Sequence, residues 1–216
     1  MAAYNPEEQE GIDGLKAWWA SHGNTVIIVV TTLIAAIAGT QLWNYYKNQQ
    51  AHQAADLFAV LQQQVEKNSD PAKINDAAHL LVEGYPASGY ASRAALIAAQ
   101  VNAQAGKLVE AKSKLQWILD MSKEPEIKDI ARLRLAGVLL DEKKYNEALN
   151  LLNVQHGASF TGLYADLKGD ILAASGKIAE ARVAYQHASD QLSSSQGGAY
   201  QNIIQMKLDA LRENKQ

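Results

Sequence analysis

The sequence predicts an all-α chain: one N-terminal transmembrane helix, then a stack of paired helices closed by a C-terminal capping helix. Three observations predict it. A long apolar stretch lies near the N-terminus. A short turn motif is written three times from the middle of the chain onward. The composition is poor in aromatics, at 7%, but 48% hydrophobic, with Ala, Leu and Gln prominent, as in packed helices. Net charge is −3 and no basic tract occurs, so nothing marks a nucleic-acid footprint. The absence of Cys excludes disulfides and thiolate metal sites.

The first element is the anchor. No Lys, Arg, Asp or Glu occurs from Ala17 to Tyr46. Trp18 and Trp19 stand at one end, and Trp43, Tyr45 and Tyr46 at the other. Amphipathic rings favour the headgroup level. A helix from Trp19 to Trp43 would span roughly 36 Å, enough to cross a bilayer from belt to belt. The small-residue sequence "AIAG" at 36–39 offers a cleavage-like site. The segment before the apolar run is long, however, and carries Glu7, Glu8, Glu10 and Asp13 against Lys16. A signal peptide needs a short, positive one, so an uncleaved anchor is expected. The expected organisation is a short N-terminal segment at 1–24, a transmembrane helix at 25–43 and a helical-repeat domain at 44–216. Lys16 and Lys47 flank the two ends, so charge alone does not orient the helix. Thr32, Ala36 and Thr40 form a strip of small residues along which another membrane helix could approach closely.

The repeats come next. "GKLVEAK" at 106–112 returns as "KKYNEAL" at 143–149 and "GKIAEAR" at 176–182. Aligned on Ala111, Ala148 and Ala181, the copies carry Ala99, Ala136 and Gly169 twelve residues earlier. Leu115, Leu152 and Tyr185 follow four residues later. Small residues where two helices cross, followed by an Ala and a large residue on the second helix, are the pattern of a tetratricopeptide-like α-solenoid. Gly106 and Gly176 suit the stop of each first helix, while Lys143 implies that the middle turn is made another way. Asn102 falls where a Tyr is expected, and Lys168 where a Leu is expected.

Residues 51–67 and 72–83 read as a degenerate first pair, with Pro71 at a helix start. With no Gly or Pro between Thr40 and Asp70, the membrane helix is expected to run on into the repeats. After the loop "SSSQGG" at 193–198, Ile203, Ile204, Leu208 and Leu211 suit a helix capping the stack.

Catalytic chemistry is not expected. The five His residues show no metal-ligand spacing, and no nucleophile motif occurs. "GDILAASGK" at 169–177 is close to a phosphate loop, but six residues separate its glycines instead of four, and Lys177 precedes Ile178. No cofactor, metal or catalytic residue is assigned. The first helices of a stack line its concave face. The expected protein-binding groove there comprises Arg93, Leu96, Gln100, Gln104, Leu133, Leu140, Asp141, Asp166 and Asp170. One Arg among several Asp does not make a carboxylate clamp, so broad contacts with a polypeptide are expected instead.

The layout also resembles a known family. "LKAWWASHGN" before the anchor, "ADLKGDILAASGKIAEAR" at 165–182 and "QMKLDAL" at 205–211 carry the likeness, which spans essentially the whole chain. It is similar to the YfgM-like family of bacterial inner-membrane proteins. The resemblance implies a cytoplasmic N-terminus and a periplasmic repeat domain. It implies partners too: the Sec translocon and a membrane-anchored periplasmic chaperone of the parvulin type, PpiD, with emerging unfolded polypeptides nearby. The function implied is that of a non-enzymatic adaptor assisting proteins that leave the channel. The residues alone give an anchored helical-repeat adaptor, and a scaffold for another envelope complex, in export or cell-wall machinery, is the alternative.

Overall fold

The computed structural model describes residues 6–192 and 198–213. The segment 193–197, most of the expected loop, lies outside them, as do residues 1–5. Helices α1 (Pro6–Glu66), α2 (Pro71–Gly84), α3 (Gly89–Gln104), α4 (Leu108–Met121), α5 (Pro125–Asp141), α6 (Tyr145–Leu152), α7 (Thr161–Ala174), α8 (Ile178–Leu192) and α9 (Gly198–Glu213) follow in order. No strand occurs among the described residues. The chain divides into two compact units, Met1–His52 and Gln53–Gln216.

In the first unit, α1 carries a stretch long and apolar enough to cross a membrane, with a mean hydropathy of 2.0. None of that stretch is buried against protein. Its polar side chains bond within the helix. The Thr31 and Thr32 hydroxyls donate to the Ile27 and Ile28 carbonyls, each at 2.7 Å, and Thr40 donates to Ile37 at 2.8 Å. Such back-bonding hides hydroxyls that hydrocarbon cannot solvate. At the two ends, the Trp18 ring stacks on His22 with centroids 5.4 Å apart, and Lys47 lies over the Trp43 ring at 5.5 Å.

In the second unit each helix from α2 onward packs on the next, and α3 and α7 both also touch α5. This is the solenoid pattern: first helices line one surface and second helices the other. The expected close crossings are present. Ala99, Ala136 and Gly169 are buried, as are Ala111, Ala148, Ala181, Leu115, Leu152 and Tyr185. The Gly169 crossing is a close one: a Cβ there would lie 2.5 Å from two carbons of the Tyr185 ring. Only glycine lets α7 and α8 approach this closely.

The turns correct one expectation. Gly106 and Gly176 take positive φ, at 74° and 81°, and Lys143 does the same at 60°. The middle turn is therefore made in the same way, with a side chain in the left-handed region. Each turn repeats one hydrogen-bond pattern. Lys107 N–H donates to the Asn102 carbonyl at 2.8 Å, Lys144 to Leu139 at 2.8 Å and Lys177 to Leu172 at 2.9 Å. The residue at positive φ donates three residues back. This is a Schellman stop, which satisfies the last carbonyls of the helix.

A fourth copy closes α1. Asn68 stands at φ 47°, and Ser69 N–H donates to the Gln64 carbonyl at 3.0 Å. Asn tolerates this conformation better than most residues, which is why no glycine marks the first pair. Asp70 then caps α2, accepting from Ala72 N–H at 2.8 Å, with Pro71 in the first turn. Asn102 replaces the expected Tyr for a local reason: its buried amide exchanges two 2.9 Å hydrogen bonds with Asn75 on α2.

Three apolar clusters run along the stack. Ala54, Leu61, Ile74, Leu81 and Ala98 belong to the first. Leu115, Ile118, Leu135 and Ile171 belong to the second and largest. Leu172, Tyr185, Ile204, Leu208 and Leu211 belong to the third. Helix α9 supplies Ile204, Leu208 and Leu211, whereas Ile203 is 41% exposed and does not join them. The fully buried Ile204 contributes roughly 1.5–3 kcal/mol by leaving water.

Candidate protein-binding groove

The expected groove residues fall into three groups. The first lies at the α3–α5 end. Arg93 donates two parallel hydrogen bonds to Glu124, at 2.9 and 2.8 Å, and a third to the Gly89 carbonyl at 2.9 Å. Its hydrogen bond to Glu124 raises the Arg93 pKa and lowers that of the Glu124 carboxyl, against the desolvation of both. Leu96 is buried in the largest cluster, and its carbonyl accepts from Arg134 at 3.1 Å. Gln100 and Gln104, further along α3, are exposed.

The second group is apolar. Leu133 and Leu140 are half-buried on α5, packed against the largest cluster with one side left open. Asp141 beside them is exposed. Gly137 lies one turn from each and was not singled out in the sequence. A Cβ there would meet nothing within 4 Å, so the surface between the two leucines is open space. A glycine one turn from two leucines on one helix face is the pattern that marks it.

The third group is an ionic cluster. Asp166 is 6% exposed and accepts from Tyr200 at 2.9 Å and from Lys207 at 2.8 Å. Asp170 accepts from Tyr185 at 2.7 Å and from Lys207 at 2.9 Å. Lys207 and Tyr200 come from α9, so the cap is tied into the groove wall as well as the core. Burial lowers the Lys207 pKa, but the two carboxylates outweigh it and leave a net rise. Burial, then the neighbouring carboxylates, raises the pKa of both Tyr185 and Tyr200. Sequence reasoning missed Lys207. The signal was the Asp166–Asp170 pair, four residues apart on one helix face, which needs a cation from another element.

The structure thus brings Asp166 and Asp170 together and pairs Arg93 elsewhere. Arg93, Asp166 and Asp170 are answered within the domain, and the open part is Leu133, Gly137 and Leu140 edged by Gln100, Gln104 and the exposed Asp141. On the first unit, Thr32, Ala36 and Thr40 are all exposed. The hydroxyls of Thr32 and Thr40 are turned back onto carbonyls of their own helix. No group of three or more His, Cys, Asp or Glu suited to a metal occurs among the described residues.

Fold and groove together define a tetratricopeptide-like helical-repeat protein with one N-terminal helix fit to be a membrane anchor. A family model described as a tetratricopeptide repeat-like domain matches residues 16–213. Three curated relatives carry the description "Ancillary SecYEG translocon subunit". That of Neisseria gonorrhoeae is 35% identical over 98% of this chain and all of its own length. That of Haemophilus influenzae is 28% identical over 97% of this chain and 100% of its own. That of Escherichia coli is 26% identical over 94% of this chain and 96% of its own. The chain belongs to this family, the YfgM-like ancillary translocon subunits. Among solved structures, "MamA RS-1 ArsTM double mutant" aligns with a TM-score of 0.52 at 16% identity. It covers 75% of this chain and 96% of that one, and it shows a shared fold.

Proposed function

We propose that the protein is a single-pass subunit of the bacterial inner membrane that associates with the SecYEG translocon. In this reading residues 1–24 lie in the cytoplasm, 25–43 span the bilayer and 44–216 stand in the periplasm. There the repeat domain works with a membrane-anchored PpiD-type chaperone on polypeptides leaving the channel, as an adaptor and not an enzyme. One observation carries the reading: relatives matched along almost their whole length, anchor included, are named for the translocon.

The groove supports an adaptor role by its chemistry. With Arg93 paired to Glu124 and both aspartates paired to Lys207, it offers a partner apolar surface and amides rather than a charge clamp. The strip at Thr32, Ala36 and Thr40 is the contact proposed for a translocon helix.

In-membrane crosslinking of the full-length protein tests this. Capture of translocon subunits from the anchor, and of the chaperone or an exported chain from the groove, is expected. Gly137→Phe should weaken the second capture and leave the first intact, because the space at its Cβ is open and the ring would occupy the surface between the leucines. Stable capture of a different envelope complex, with no contact to translocon or exported chains, would establish the scaffold alternative instead. Protease added to spheroplasts should digest the repeats, and their protection would reverse the orientation.

A further inference from the structure

Away from the groove, where the α4–α5 and α6–α7 connections meet at one edge of the stack, lies an open cleft of about 670 Å³. Ser122, Lys123, Lys128, Arg132, His156 and Gly157 are among its lining residues. The cleft is built and not merely a gap. Buried Asp129 ties its walls together, accepting from Gly157 N–H at 2.9 Å, from the Tyr164 hydroxyl at 3.0 Å and from Arg132 at 2.9 Å. The Tyr164 ring packs against His156, with centroids 4.2 Å apart.

The charge balance of the cleft is one-sided. Asp129 is answered by Arg132. Of the nearby carboxylates, Glu124 is engaged by Arg93, and Glu126 is exposed on α5. Lys123 and Lys128 line the opening with no ion pair among the described residues, and Lys128 is half-buried. The cations of the cleft left without a carboxylate partner among the described residues are therefore Lys123 and Lys128, with His156 beside them.

We propose that this cleft is a docking site for an acidic polypeptide segment, one that presents two or more carboxylate side chains along an extended stretch. Lys123 stands exposed in the α4–α5 connection and half-buried Lys128 five residues further on in α5, so the two cations come from successive stretches of backbone along the cleft. Spaced carboxylates on a chain match them, with Lys123 and Lys128 steering and holding the segment and the fixed Asp129–Arg132 pair as the floor. This site shares no lining residue with the groove and does not depend on the translocon reading.

The test uses the full-length protein in detergent micelles and a fluorescent peptide carrying four Asp or Glu in a flexible Gly-Ser frame. Fluorescence anisotropy should show binding that weakens as salt rises. Lys123→Glu with Lys128→Glu should weaken it about tenfold or more. Lys168→Glu, an exposed charge reversal on α7, should leave it unchanged. Circular dichroism guards against loss of fold, and the milder Lys123→Gln with Lys128→Gln serves if the reversal unfolds. Equal binding of a peptide with Asn and Gln in place of the acids would overturn the proposal. So would unchanged affinity in the double variant, or no binding at millimolar peptide. Competition by inorganic phosphate beyond that of sodium chloride at equal ionic strength would overturn the polypeptide assignment in favour of a free anion.

Discussion

Lys143 occupies a conformation that glycine holds in the neighbouring copies, so Lys143→Gly is expected to stabilise the repeat domain. A side chain in the left-handed region costs about 1–2 kcal/mol. Glycine removes that cost but gives the unfolded chain more freedom, worth about 0.5–1 kcal/mol. The net expectation is a gain of about 0.5–1 kcal/mol. Lys143 is exposed and holds no ion pair among the described residues, so no contact is lost. The reciprocal changes are equally clean. A Cβ on Gly106 or Gly176 would meet nothing within 4 Å, so Gly106→Ala and Gly176→Ala change the backbone term alone. Each should destabilise by about 0.5–1 kcal/mol.

The assay is urea unfolding of the full-length protein in micelles, followed by the fluorescence of Trp117. This residue is half-buried against the largest cluster, and the other three tryptophans lie at 18, 19 and 43. With a slope of about 2 kcal/mol per molar urea, the midpoints should move by about 0.3–0.5 M in opposite directions. A Lys143→Gly midpoint at or below that of the parent, with the Gly→Ala midpoints unmoved, would refute the shared-turn argument.

Other changes test the packing and the ionic cluster. Gly169→Ala forces a methyl group into the Tyr185 ring, which Asp170 pins, and should cost about 1–2 kcal/mol after about 1 kcal/mol of helix propensity is credited. Adding Tyr185→Leu should restore much of the loss in the same urea assay. Lys207→Gln leaves Asp166 buried with its charge unanswered, and should cost about 2–4 kcal/mol and loosen α9, read by hydrogen exchange of that helix. Alkaline pH should also destabilise the domain. Burial, with help from Asp129, pushes Tyr164 from 10.0 up to about 12, so the unfolded chain loses this proton first. Stability is therefore full below pH 10 and falls as pH rises toward 12, with Tyr185 and Tyr200 acting in the same direction. Ultraviolet titration of tyrosinate should show a fraction ionising late and only with unfolding.

The sequence by itself determined the helices, their pairing and the anchor. Each rests on a local or periodic rule: apolar length and aromatic ends for α1, and Ala111, Ala148 and Ala181 with their small and large partners for the crossings. Pro71 announced a helix start that needs no distant contact. Only the tertiary structure decided which charges stay free. Asp166 and Asp170 read as groove residues along α7, but Lys207 arrives from about 40 residues downstream, and no periodicity links them. Arg93 meets Glu124, and Asp129 meets Gly157 and Tyr164, by the same kind of long closure. The left-handed turn at Lys143 was hidden for a related reason: the hydrogen bonds of the stop and the packing of α5 and α6 hold a lysine where local preference would place a glycine. Local rules fixed what the elements are, and stacking fixed which surfaces and charges remain for a partner.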